Sequence, residues 1–309
     1  MPDDYAKHMK IGFALGGGGA KGFFHIGALR ALEKLKIKPQ AIAGTSIGAM
    51  VGGTYSLYPN ANELEKIIFE VYDKYSKDIL GLKMFSASSS VEEKKLFLEK
   101  SFEFAKDLVL WNLRIIKPFL VDSHPFMHLL KDIFKINRFC DCKIPFTATA
   151  VELTKGEKTF FRTGPLYKAV LASLALPGVF PPLKIHDQLF SDGGVIMPLP
   201  VEAIRKDVDF VIGINVEDGN EIFRQTNSAI DMMFHADRMR YREIVKYNKA
   251  LADFVISPDL DEFHWADFDK VRGFVKRGEK ETLDMADKLL KALKRQRLKS
   301  IFLPSRFRR

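Results

Sequence analysis

Residues 10–57 alternate short apolar runs with glycine-bounded turns and helix-like stretches, and this order constrains the fold more than any other feature. Residues 10–15 are a first apolar run. Gly16-Gly17-Gly18-Gly19-Ala20-Lys21-Gly22 follows, then a helical pattern over 23–36 with Ile26, Leu29 and Leu32 on one face. Residues 41–43 are a second short apolar run, and Gly44-Thr45-Ser46-Ile47-Gly48 leads from it into a second helical stretch, 47–57. Strand and helix in alternation predict a parallel sheet flanked by helices.

Further strands are expected over 145–153, 158–162, 184–190, 209–216 and 253–256, with a short helix over 167–176 stopped by Pro177. A long amphipathic helix is expected over 267–299, bent near 272–278. Residues 58–139 break the alternation. They look helical, with a serine-rich break at 86–90 and an apolar run at 108–121, and are expected to form a helical cap inserted into one domain spanning 1–309.

The net charge of +9 resides in the tail: residues 288–309 hold nine basic side chains and no acidic one, while 1–287 hold 39 of each sign. A neutral body with a basic end argues against a broad nucleic-acid-binding face. The tail mixes its charges with Leu293, Leu298, Ile301, Phe302, Leu303 and Phe307, a composition suited either to a solvated helix end or to peripheral contact with an anionic membrane. Two cysteines, Cys140 and Cys142, are too close in sequence for an easy mutual disulfide, which favours a reducing compartment. The acidic N-terminus is unlike a signal peptide, and the charge-free run 39–62 is broken by glycines and hydroxyls. A cytoplasmic protein without signal peptide or transmembrane helix is expected, and no metal or cofactor is called for.

G-x-S-x-G after a strand is the pattern of a nucleophile elbow, with Gly44 and Gly48 removing Cβ clashes around Ser46. The loop Gly17-Gly18-Gly19-Ala20-Lys21-Gly22 turns backbone N–H groups toward one spot at a helix start, which suits an anion: a phosphate, a pyrophosphate or the oxyanion of an acyl intermediate. It matches the dinucleotide fingerprint, but the acidic residue that fingerprint wants after the second strand is replaced by Ala43-Gly44-Thr45-Ser46. Ser191-Asp192-Gly193-Gly194 places an acid at a strand end, and Ala172-Ser173-Leu174-Ala175-Leu176-Pro177 is a helix with a rigid exit.

These four motifs in this order resemble the patatin-like phospholipase family, bacterial type, over residues 11–216. The resemblance implies a three-layer α/β sandwich with a mostly parallel central sheet. It implies a histidine-free dyad with Ser46 as nucleophile and Asp192 as base, and Gly17, Gly18 and Gly19 as oxyanion donors. Lys21 stands where the family often has arginine, and with Gly22, Gly44, Gly48, Gly193 and Gly194 it would support the site. The substrate implied is a lipid ester, of the phospholipase A or lysophospholipase kind. A non-lipid esterase or thioesterase, and a non-catalytic nucleotide-binding protein, are the other readings. Within the enzyme reading, His235 and His264 follow Asp192 and offer a Ser–Asp–His order as the challenger. His25 is expected to pack from the first helix against a neighbour, and His124 and His128, with Pro125 between them, make a poor metal pair.

Overall fold

The computed structural model describes residues 9–80, 122–218 and 229–302. The strands are β1 (Ile11–Leu15), β2 (Ala41–Thr45), β3 (Phe146–Glu152), β4 (Glu157–Phe161), β5 (Leu183–Ile185), β6 (Gln188–Asp192), β7 (Phe210–Ile214) and β8 (Phe254–Ile256). The helices are α1 (Phe24–Lys34), α2 (Ile47–Leu57), α3 (Ala61–Lys74), α4 (Ser76–Leu80), α5 (His124–Phe134), α6 (Leu166–Leu174), α7 (Ala229–Ala250), α8 (Val271–Asp284) and α9 (Ala286–Phe302).

One eight-stranded sheet runs β5-β6-β3-β2-β1-β7-β8, with β4 also paired to β3. The expected parallel centre is present: β3, β2, β1, β7 and β8 are parallel neighbours. β4, β5 and β6 are antiparallel additions at one side. Ile11, Phe13 and Leu15 of β1 enter a large core with α1, α2, α3, α5, α6, α8 and α9. Ala14, Ala41, Ala43 and Val211 enter a thin one, closed by Leu199, Val201, Ile204 and the residues just past α7. The sandwich thus has a thick helical layer on one face and a thin cover on the other.

Two expectations change. The single strand over 184–190 is a hairpin, β5 and β6, turned at His186 with a positive φ of 53°. The C-terminal helix breaks at Met285 rather than near 272–278, where Gly278 serves packing. A Cβ on Gly278 would lie 2.1 Å from the Phe24 carbonyl oxygen, and one on Gly27 would lie 1.9 Å from that of Val275. Backbone-to-backbone contact of α1 with α8 is possible only without those side chains. Of the segment expected as a cap, α3 and α5 flank the core, while the serine-rich break and the run 108–121 lie outside the described residues. So do the tail residues after Phe302.

Gly27→Val and Gly278→Val are each expected to lose about 2–3 kcal/mol or more of stability. Gly273, on the same helix with nothing near its Cβ position, is the control: Gly273→Ala should gain about 0.5–1 kcal/mol. Thermal denaturation of the three variants checks both signs.

Candidate active site

Strand β3 explains how two residues far apart in sequence meet. Its first part pairs with β2, ending at Thr45 opposite Thr149. Its last part pairs with β6, beginning at Asp192 opposite Ala150. β4 takes the same stretch of β3 on its other edge. So β2 and β6 lie along one edge of β3 and run head-on into each other. The chain leaves β2 at Ser46 where β6 ends at Asp192.

Ser46 sits at φ 55°, ψ −124°, a strained conformation for a residue with a Cβ. Its N–H donates to Ser173 Oγ at 2.8 Å, and its carbonyl accepts from Ala49 N–H at 2.9 Å. Its own hydroxyl makes no cap bond to α2. It lies near the Asp192 carboxylate, whose pKa it lowers. The flanking glycines are required by crowding: a Cβ on Gly44 would lie 2.3 Å from Gly48 O, and one on Gly48 2.3 Å from Leu15 O.

Asp192 is buried, and its Oδ1 accepts from Gly194 N–H at 2.7 Å. Burial raises its pKa from 3.8 to about 6, opposed by the Ser46 hydroxyl and the Gly194 amide, and no histidine contributes. Under it lies a packed polar cluster. Thr45 Oγ1 donates to Met197 O at 2.8 Å, so Thr149 Oγ1 donates to Thr45 Oγ1 at 2.7 Å. A Cβ on Gly193 would lie 2.5 Å from Thr149 Oγ1.

The glycine loop approaches from β1. Gly16 N–H donates to Ile214 O and Gly17 N–H to Pro198 O, both at 2.9 Å. Gly17 is therefore not the free donor expected of it: its amide already anchors the loop. Gly18 and Gly19, both at positive φ, line the cavity beside Ser46, and their amides donate to no acceptor among the described residues. Gly19 packs so closely on the Trp265 carbonyl that a Cβ would lie 2.3 Å from it. His25 is fully buried and its Nε2 is 2.8 Å from Gly16 O. Burial pushes its pKa down to about 4, so it is neutral and its Nε2–H donates to that carbonyl. The packing role expected of His25 is thus a brace for the loop.

Ser46 and Asp192 open onto a cavity of about 730 Å³. One arm is apolar, walled by Met50, Ile68, Phe126, Leu129, Ile133 and Leu171. The other end is polar: Lys21, Glu217, Arg238, Arg240, Tyr241 and His264. Lys21 Nζ pairs with Glu217 Oε2 at 2.8 Å, its side chain nearly sealed from solvent. Burial, with Glu217, Asp192 and Asp218 nearby, raises the Tyr241 pKa, so the phenol keeps its proton. Sequence reasoning found neither Glu217 nor Tyr241. The signal for Glu217 was its place just after a parallel strand, where open α/β sheets bind ligands. His264 lines the polar end, where its Nδ1 is 3.2 Å from Ala266 N, within hydrogen-bonding reach. His124 Nδ1 is engaged by Asp122.

With this geometry in hand, the family model for patatin-like phospholipase matches residues 13–205. The chain belongs to the patatin-like phospholipase family. An uncharacterized NTE family protein of Mycobacterium tuberculosis is 30% identical over 209 residues, covering 67% of this chain and 49% of the relative. The lysophospholipase NTE1 of Cryptococcus neoformans is 30% identical over 201 residues, covering 64% of this chain and 10% of its own length. The chain thus spans about half the length of the mycobacterial relative. The crystal structure of VipD from Legionella pneumophila is similar over 91% of this chain and 67% of its own, at 14% identity with a TM-score of 0.44. Among the described residues, no helix is long and apolar enough to cross a membrane.

The raised pKa of Asp192 has a consequence for stability. Between pH about 4 and 6 the folded protein holds a proton the unfolded chain has released, so stability falls as pH rises through that window. Above it, the ionised buried carboxylate costs on the order of 2–3 kcal/mol. Asp192→Asn is therefore expected to melt higher than the parent at pH 7, with the gap closing toward pH 4. Paired melts across that range measure it.

Proposed function

We propose that the protein is a serine hydrolase of lipid carboxylic esters, of the phospholipase A or lysophospholipase kind. The observation that carries the reading is the juxtaposition of Ser46, held at a strained positive φ, with the buried Asp192 carboxylate, at the point where an apolar arm meets a glycine loop. In this reading an acyl chain lies along Met50, Leu129 and Ile133, and its ester carbonyl sits over Ser46. Ser46 Oγ attacks the carbonyl carbon while Asp192 accepts its proton. The oxygen turned negative receives the Gly18 and Gly19 N–H groups, each such donor being worth about 3–4 kcal/mol in acyl transfer.

The tetrahedral intermediate collapses, and Asp192 returns the proton to the departing alcohol. Water, deprotonated by the same carboxylate, then releases the fatty acid and restores Ser46. A carboxylate near 6 suits this work far better than one near 3.8, because it is ionised at neutral pH yet still basic enough to take a proton. Lys21, held by Glu217, and the Tyr241 phenol face the part of the substrate beyond the ester.

The apolar arm favours a lipid over a small polar ester. The nucleotide-binding reading finds no support at the end of β2, where a nucleophile stands in place of the ribose-binding acid.

Labelling with a fluorophosphonate probe tests the site: the wild type is expected to label, and Ser46→Ala to lose the label entirely. Wild-type protein that stays unlabelled would end the hydrolase reading. Asp192→Asn should lower turnover by roughly a hundredfold to ten-thousandfold.

The pH profile is a separate check. kcat/KM should rise through one ionisation near pH 6 as Asp192 deprotonates, and stay level above it. A profile that turns instead on a group whose ionisation vanishes in His264→Gln would put the histidine challenger in its place.

A further inference from the structure

The segment Ala172–Pro177 has no part in the reaction steps above, yet it touches both residues that do. We propose that Ser173 is a positioning residue for the nucleophile: its hydroxyl fixes the Ser46 backbone so that the Ser46 side chain is held against Asp192. Ser46 N–H donates to Ser173 Oγ at 2.8 Å, across 127 residues of chain. Two residues further on, the Ala175 carbonyl accepts from Asp192 N–H at 3.0 Å and from Ser191 Oγ at 2.7 Å. The end of α6 therefore holds the backbones of nucleophile and base together, one by a hydroxyl and the other by a carbonyl two residues away.

Ser173 is placed for this contact rather than for its own helix. The buried side of α6 is otherwise apolar, with Leu166, Ala169, Val170, Leu171 and Ala172, and Ser173 is itself fully buried. A hydroxyl taken out of water is costly unless it finds a partner. Serines within helices ordinarily bond a carbonyl one turn back. Among the described residues, the partner of Ser173 is instead the Ser46 amide.

Ser46 needs the tie. It stands at a positive φ of 55° despite its Cβ, a conformation that persists only where the surroundings over-determine it. Its carbonyl accepts from Ala49 N–H at 2.9 Å and from Met50 N–H at 3.2 Å, and Ser173 fixes its amide. Without the Ser173 oxygen, the Thr45–Ser46 peptide is free to turn toward relaxed backbone, and the side chain swings off Asp192. A displacement of about 1 Å at a reacting atom costs about a hundredfold in rate. The tie also commits the Ser46 amide, which leaves the developing oxyanion to Gly18 and Gly19.

The effect on rate rests on the hydrolase reading; the hold on Ser46 does not. Steady-state kinetics on a water-soluble short-chain ester read the first, and hydrogen exchange of the Ser46 amide by NMR reads the second. The variants are Ser173→Ala, Ser173→Thr and Val170→Ala, the last a buried truncation on the same helix that controls for lost stability. Ser173→Ala should lower kcat about tenfold to a hundredfold with KM unchanged. It should also speed exchange of the Ser46 amide while the amides within α2 keep their protection. Ser173→Thr, which keeps the oxygen, should recover most of the rate. The Ser46 hydroxyl lowers the Asp192 pKa, so moving it away should shift the midpoint of the kcat/KM profile upward from about 6 in Ser173→Ala and not in Val170→Ala. The charged and titratable groups that share the cavity, Lys21, Glu217, Asp237, Arg238, Arg240, Tyr241 and His264, are the same in every variant.

Wild-type kcat in Ser173→Ala overturns the proposal. So does a loss of rate matched by Val170→Ala, an unmoved pH midpoint, or unchanged exchange at Ser46. A wild type without ester turnover strikes the hydrolase reading instead, and exchange of the Ser46 amide then still decides whether Ser173 holds that backbone.

Discussion

The meeting of Ser46 with Asp192 depends on β3 offering one edge to two strands in succession. The parallel strand β2 uses the edge up to Thr149, and the antiparallel strand β6 takes it over at Ala150. A one-residue slip of β6 would turn Asp192 to the other face of the sheet and Ser191 toward Ser46. The register is therefore under strong constraint, and the polar cluster of Thr45, Thr149 and the Met197 carbonyl pins it at the junction. Ser191, the residue turned away, is fixed by its own bond to Ala175 O at 2.7 Å. The same segment supplies Ser173, which holds the Ser46 amide, so α6 and the exit from it secure both halves of the pair.

This dependence explains what was legible in the sequence. Ser46 and the glycine loop follow from local pattern, because each is a strand-to-helix turn whose glycines answer to contacts nearby in the chain. The parallel centre follows from alternation. From local pattern Asp192 is only a strand-end acid, and its pairing with Ser46 was expected through the family resemblance, because the long-range register that joins them is encoded in no local pattern. The β5–β6 hairpin was read as one strand because its turn is made by His186 and Asp187 without the usual glycine or asparagine. A bend was expected near 272–278 because a sequence does not tell a glycine that breaks a helix from one, such as Gly278, that lets two helices touch. Gly17 resembled a free donor for a similar reason: the acceptor of its amide, Pro198 O, comes from 181 residues away.

The electrostatics follow from the same packing. The buried carboxylate loses solvation, which the Ser46 hydroxyl and the Gly194 N–H offset only in part, so its pKa is raised to about 6. That leaves the folded protein holding an ionised group at neutral pH at a net cost to stability, tolerable because the surrounding core is large. His25 shows the opposite case. Burial there removes the charge altogether, and the neutral ring becomes a fixed donor bracing Gly16. Burial thus brings one group near neutrality for proton transfer and withdraws the other from titration.

The polarity of the parallel sheet bears on how such a site could meet a lipid surface. Gly18, Ser46 and Glu217 all follow the carboxyl ends of parallel strands, so the cavity opens at one pole of the sheet. Six of the tail's basic side chains, from Lys288 to Lys299, lie on α9, which reaches the other pole at Asp209. Long-range attraction between a basic helix and an anionic membrane acts on the whole body and does not by itself orient it for reaction, whereas apolar insertion acts over a few ångströms and does.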